Sequence, residues 1–157
     1  MGRMRSLLRL SARDLWLLIT SALLLVAIQS GLKFLPFQTV QRLLTRISQS
    51  ASSRQAADRR SIGRVVWAVD TVSQHLPGIS TCLTRGLVAQ VLLCRYGHQA
   101  QLRIGVTHSD TKRLQAHAWV EIDDTVVLGG LQDLARYVRF PLLDKEGRER
   151  HRWHLSP

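Results

Sequence analysis

Residues 15–32 (LWLLITSALLLVAIQSGL) form an unbroken run of 18 uncharged, mostly apolar positions. Ser11, followed three residues later by Asp14, is a variant capping box and predicts that a helix begins there. Pro36 breaks that helix, and Phe37 to Ile47 resumes with Val40, Leu43, Leu44 and Ile47 on one face. Gln49 to Arg60 (QSASSRQAADRR) is small and polar, the best linker candidate in the chain. Ile62, Val65, Val66 and Val69 then recur at helical spacing over roughly Ala57 to Leu76, and Pro77-Gly78 ends the stretch. Ser80 or Thr81 caps a further helix with Leu83, Leu87, Val91 and Cys94 as its apolar stripe, closed by Gly97.

From Ala100 onward the pattern changes to alternation. Ala100–Val106 and Ala116–Ile122 read as strands flanking a polar loop, and Thr125–Leu128 as a third strand reached through a tight turn at Asp123-Asp124. Helices first and an antiparallel sheet afterwards make the class α+β. With a two-residue turn, Ile122 pairs with Thr125, and counting back sets His117 opposite Gly130.

A chain of 157 residues with 45% apolar and 21% charged positions suits one globular domain with a core, and disorder describes it poorly. The net charge of +11 is unevenly placed: residues 1–60 hold ten basic residues against Asp14 and Asp58, leaving +3 for the remainder. Such a segment suits acidic lipid, nucleic acid or an acidic peptide as well as plain solubility. For residues 15–32 three readings compete: a transmembrane helix, a signal peptide, and a buried or interfacial helix packed on the rest of the protein. No small-residue cleavage site ends the run, and basic residues flank it on both sides, so charge does not decide the spanning reading; the buried or interfacial helix is favoured and contact with a membrane surface stays open.

Two cysteines make no disulfide framework, and Cys82 and Cys94 lie too far apart along one helix to bond; a reducing, cytoplasmic setting follows. Cys82 falls in the first turn of its helix, where unpaired N–H groups and the helix dipole favour a thiolate, the form that attacks carbonyls. A buried structural cysteine is the competing reading. Cys94, late on the apolar stripe, reads as core. A thiolate nucleophile needs a base. His75, His98, His108, His151 and His154 read as solvated, whereas His117 lies inside the apolar strand AHAWVEI and must find a partner there.

A cysteine opening a helix, followed by a strand with His-Ala-Trp-Val-Glu, resembles the papain/transglutaminase-like catalytic cores, and in particular the leader peptidases of lasso-peptide biosynthesis. The matching stretches are Cys82 to Leu87 (CLTRGL), Leu102 to Val106 (LRIGV), Ala116 to Asp123 (AHAWVEID), Val126 to Gly130 (VVLGG) and Asp133 to Tyr137 (DLARY). The resemblance implies an N-terminal basic and apolar helical segment over 1–56 and a transglutaminase-like cysteine protease domain over 57–157. It implies that Cys82 attacks the bond between leader and core, that His117 is its base, and that the backbone N–H of Cys82 helps hold the oxyanion, with Gln74 as a weaker candidate donor. An acidic residue would orient the imidazole. The expected position offers Gly129 and Gly130, so Asp133, three residues on, is the candidate, against a backbone carbonyl or water. The precursor peptide is the implied substrate, a separate leader-recognition domain the implied partner, and an ATP-using lasso cyclase a neighbour in the same maturation.

No cofactor is expected: the chain has no phosphate-cradling G-x-x-x-x-G-K-[ST], and its cysteines and histidines match no zinc spacing. No nucleic-acid-binding signature accompanies the positive charge. A transglutaminase or amidase using the same Cys–His pair, a basic membrane- or nucleic-acid-binding protein, and a catalytically dead peptide-binding relative are the alternatives.

Overall fold

A computed structural model describes residues 11–50, 58–76, 78, 80–108, 113–131 and 133–139. Four helices come first: α1 (Ala12–Phe34), α2 (Phe37–Ser50), α3 (Arg59–His75) and α4 (Cys82–Arg95). Strands β1 (Gln101–His108), β2 (Leu114–Ile122) and β3 (Thr125–Leu128) follow, then a 3₁₀ turn at Leu134–Arg136 and a two-residue strand β4 (Val138–Arg139). The sheet is antiparallel in the order β3-β2-β1-β4, so the class is α+β as expected.

Local signals account for most element ends. Ser11 and Asp14 form the capping box of α1, and Asp14 also accepts from Arg64 of α3 (Nη2 at 2.6 Å), which ties the start of α1 to α3. Asp58 caps α3, and Thr81 caps α4. Asp123 and Asp124 both adopt positive φ (48° and 59°), the two-residue hairpin turn whose twist matches the flanking strands. The expected linker falls partly on residues 51–57, outside the described residues; α2 itself runs on to Ser50.

α4 is the centre of the molecule. Its expected stripe is both too narrow and off-centre: Leu87 and Val91 are buried but Leu83 and Cys94 only half-buried, while Thr84, Gly86, Val88, Ala89, Leu92 and Leu93 are buried as well. A helix buried over most of its circumference has neighbours on most sides. α1, α2 and α3 pack against α4, as do β1 and β2, and Leu17, Leu25, Ile28, Val40 and Leu44 share one core with Val65, Leu87 and Val120. Gly86 marks the closest approach to the sheet: a Cβ there would stand 2.5 Å from Leu102 and 3.8 Å from Val120.

His98 departs from its solvated reading. Gly97 at φ +84° turns the chain at the end of α4, the His98 N–H donates to the Leu93 carbonyl (3.0 Å), and the ring enters the protein, 8% exposed, with Nε2 at 2.7 Å from Ser61 Oγ. The register also departs from the count. Ile122 does pair with Thr125, but a bulge at Val120/Glu121 shifts the ladder so that Val120 meets Leu128, where β3 ends. Among the described residues no ladder partner therefore faces His117 from that side. The extra residue moves the chain so that Gly129, at φ +76°, runs beneath Ala118 and Trp119.

By length and composition α1 could cross a membrane. In this fold it buries Leu17, Ser21, Leu25 and Ile28 against the domain.

Candidate active site

Cys82 is the first residue of α4, half-buried and unbridged. A chain of hydroxyls fixes that turn. Thr84 donates its hydroxyl hydrogen to Gln29 Oε1 of α1 (2.7 Å), which leaves Thr81 as the donor in the 2.8 Å contact between the two threonine oxygens. Thr81 Oγ1 in turn accepts from the Thr84 N–H at 3.2 Å. An ion pair between Arg85 and Asp70 holds the same turn to α3. The N–H of Cys82, ahead of the intrahelical ladder, is free of intrahelical duty, and the helix dipole favours negative charge beside it.

His117 lies midway along β2, opposite Gly105 of β1. Its Nε2 is 2.8 Å from the Gly129 carbonyl oxygen. A carbonyl only accepts, so Nε2 carries the hydrogen and the neutral ring keeps its lone pair on Nδ1. The ring stacks on Trp119 (centroids 6.2 Å apart, 17° between planes) and meets Tyr137 at 5.8 Å. Gly105 leaves room for this cluster: a Cβ there would come within 2.9 Å of the Trp119 ring and 3.0 Å of Tyr137.

Trp119 is itself held. Its Nε1–H donates to Glu121 Oε1 at 2.8 Å, and Glu121 also accepts from Arg103 Nε (2.9 Å) and pairs with Arg139 (3.2 Å). The Arg139 guanidinium lies 5.9 Å from the Trp119 ring centroid. Glu121 is 2% exposed. Burial alone would push its carboxyl up, but the bonds from Trp119 and Arg103 and the charges of Arg139 and Arg103 outweigh it, holding it below its ordinary value. Trp119, Glu121, Arg103 and Arg139 thus form a support under the imidazole that the sequence reading missed. The signal was a glutamate in an apolar strand, with an arginine on the neighbouring one.

The other candidates are placed elsewhere. Asp133 precedes the 3₁₀ turn with its side chain 53% exposed, 4.0 Å from Arg136; the group against the His117 ring is the Gly129 carbonyl. Gln74 is exposed near the end of α3, and exposed His75 donates to the Thr71 carbonyl from Nδ1 (2.7 Å). Cys94 packs at the margin of the core. α4 packs on β2, yet among the described residues no hydrogen bond joins Cys82 to His117. Ala118, Val120 and Ile122 join the core with α4, and His117, Trp119 and Glu121 alternate with them along the strand. A shallow polar depression lined by Gln99, Gln101, Arg103, Glu121, Asp123 and Asp124 occupies the turn end of the hairpin and contains neither Cys82 nor His117. Among the described residues no three His, Cys, Asp or Glu side chains gather to hold a metal.

A family model described as the transglutaminase-like superfamily matches residues 22–140, a span that includes Cys82, His117 and Asp133. No curated protein and no solved structure matches the chain.

Proposed function

This chain belongs to the transglutaminase-like superfamily, and we propose that within it the protein is a cysteine peptidase that cuts the leader from a lasso-peptide precursor. The superfamily's chemistry is that of cysteine peptidases and acyltransferases. The observation that carries the reading is a cysteine at the first position of a capped, central helix, within that match and on the same core as a strand His-Ala-Trp-Val-Glu.

In the proposed reaction the Cys82 thiol loses its proton to His117 Nδ1; catalytic hydrogen bonds are often long or poorly aligned before substrate arrives. The sulfur adds to the scissile carbonyl carbon, and the N–H of Cys82 holds the oxyanion. His117 returns the proton to the departing amine of the core peptide, leaving a thioester to the leader. Water, deprotonated by the same ring, then releases the leader carboxylate and regenerates the thiol. The bond to Gly129 keeps Nε2 protonated throughout and so reserves Nδ1 for proton transfer. A separate leader-recognition protein delivers the precursor, an ATP-using cyclase takes the freed core, and the setting is cytoplasmic.

The test is mass spectrometry of a lasso-peptide precursor incubated with this chain and a separate leader-recognition protein. Free leader and core ends are expected. An isopeptide-linked product would instead show acyl transfer by the same pair. No product, together with no labelling of Cys82 by a peptide electrophile, would leave a peptide-binding protein without catalysis.

A further inference from the structure

We propose that the outer face of α1 docks on an anionic lipid bilayer, lying in the plane of its surface. Leu15, Trp16, Ile19, Leu23 and Val26 are each 46–66% exposed. At 100° per residue they fall within an arc of about 100°, diametrically opposite the stripe of Leu17, Ser21, Leu25 and Ile28 that is buried in the domain. Phe34, 84% exposed, extends the strip to the end of the helix. Between residues 15 and 32 there is no charge. The hydroxyl of Thr20 is turned inward, donating to the Trp16 carbonyl at 2.8 Å. The result is an apolar strip about 28 Å long, more than a soluble monomer ordinarily leaves to water.

Charge identifies the occupant. Arg13 stands exposed at the start of the strip and Lys33 at its end, with exposed Arg42 beyond. Residues 1–60 carry ten basic and two acidic side chains, a net of +8, and Arg3, Arg5 and Arg9 lead directly into the helix. A second copy of this chain would bring a like charge to the contact, whereas acidic headgroups complement it. A spanning arrangement fits less well. The opposite face of the helix is committed to α3 and α4, through the Asp14–Arg64 pair at one end and the Gln29–Thr84 bond near the other. A helix with one face in a folded domain and the other apolar, rimmed by cations, has the form of an interfacial anchor.

The test is co-sedimentation of the full chain with vesicles of phosphatidylcholine containing about 30% phosphatidylglycerol, against vesicles of phosphatidylcholine alone. The protein is expected to pellet with the anionic vesicles, to bind the neutral ones at least fivefold less, and to be released by salt. Ile19→Glu combined with Leu23→Glu, both outside the core, should cut binding about tenfold with circular dichroism and thermal unfolding unchanged. If that variant fails to fold, Leu23→Gln alone serves as the second probe, with a smaller loss in the same direction. Equal binding to neutral vesicles, wild-type binding by the folded variants, or no binding at all overturns the proposal. So does resistance of the bound protein to alkaline carbonate, the mark of a span, or a dimer that the glutamates dissociate while vesicles are ignored. None of these readouts depends on peptidase activity.

Discussion

Replacing Glu121 by glutamine should destabilise the protein by about 2–4 kcal/mol at neutral pH. The buried carboxylate takes three donors: Trp119 Nε1, Arg103 and Arg139. Hydrogen bonds to a charged group contribute about 1.5–3 kcal/mol each, and breaking one side of a buried pair costs about 3–5. Arg139 is 57% exposed and returns readily to water, so its share is small. Glutamine keeps one acceptor but turns an NH₂ toward a donor, so one of the bonds from Trp119 or Arg103 becomes a clash of hydrogens. For a chain of this size that is a fall of about 6–12 °C in Tm. The pH dependence sharpens the test. Because the Glu121 carboxyl is held below its ordinary value, its contribution is fully present above the unfolded-state value of about 4.3 and is lost as pH falls through the folded value. The gap between wild type and Glu121→Gln, followed by circular dichroism melts, should therefore be flat from pH 7 to about 5 and close in stronger acid. A shift under about 3 °C at pH 7, or a gap that persists when both proteins are acidified, would refute this account of the carboxylate.

Cys82→Ala should abolish cleavage with little change in Tm, whereas Cys94→Ala should cost about 1–2 kcal/mol and spare activity; the reverse pattern, read by a cleavage assay and melts, would move the nucleophile. His117→Ala should be as damaging as Cys82→Ala, and the double variant no slower than either single one, since the pair acts as a unit; rates that multiply would dissolve it. Gly129→Ala places a Cβ at φ +76° and 2.9 Å from the Ala118 carbonyl oxygen. It should cost about 2 kcal/mol and, by moving the carbonyl that holds His117, lower turnover at least tenfold; a stable variant of normal activity would remove that carbonyl from the mechanism. Asp133→Asn should change turnover less than threefold, and a tenfold loss would return the orienting role to its carboxylate.

What could be read from the sequence was local. Ser11 with Asp14, Thr81 before Cys82, and Asp123-Asp124 are cap and turn signals decided by a few adjacent residues, and each stands where expected. Features set by distant parts of the chain were not legible. His98 is buried because Ser61, 37 positions away, offers it a partner. β4 exists because two residues after the 3₁₀ turn reach Gly105 and Val106 of β1. The bulge at Val120/Glu121 adds one residue to a ladder whose alternation looks regular.

The same distinction explains the imidazole's partner. Residue type points to a carboxylate, and so to Asp133 ahead of a backbone carbonyl, because Gly129 and Gly130 have no side chain to offer. A main-chain carbonyl has no residue type. What makes Gly129 O available is its backbone: positive φ, and a path so close under Ala118 and Trp119 that only glycine fits. The absence of a side chain, which argued against the position, is what lets the chain pass within 2.8 Å of the ring. Strand alternation then divides the labour of β2. Ala118, Val120 and Ile122 secure the strand in the core with α4, while His117, Trp119 and Glu121, at every second position between them, build the imidazole and its support. A one-residue slip of β2 would exchange the two sets, placing a histidine, an indole and a carboxylate in the apolar core. The carboxylate makes that slip costly, because its bonds to Arg103 and Arg139 exist only in the native register. Glu121 therefore does more than support Trp119: it specifies which face of the strand His117 occupies.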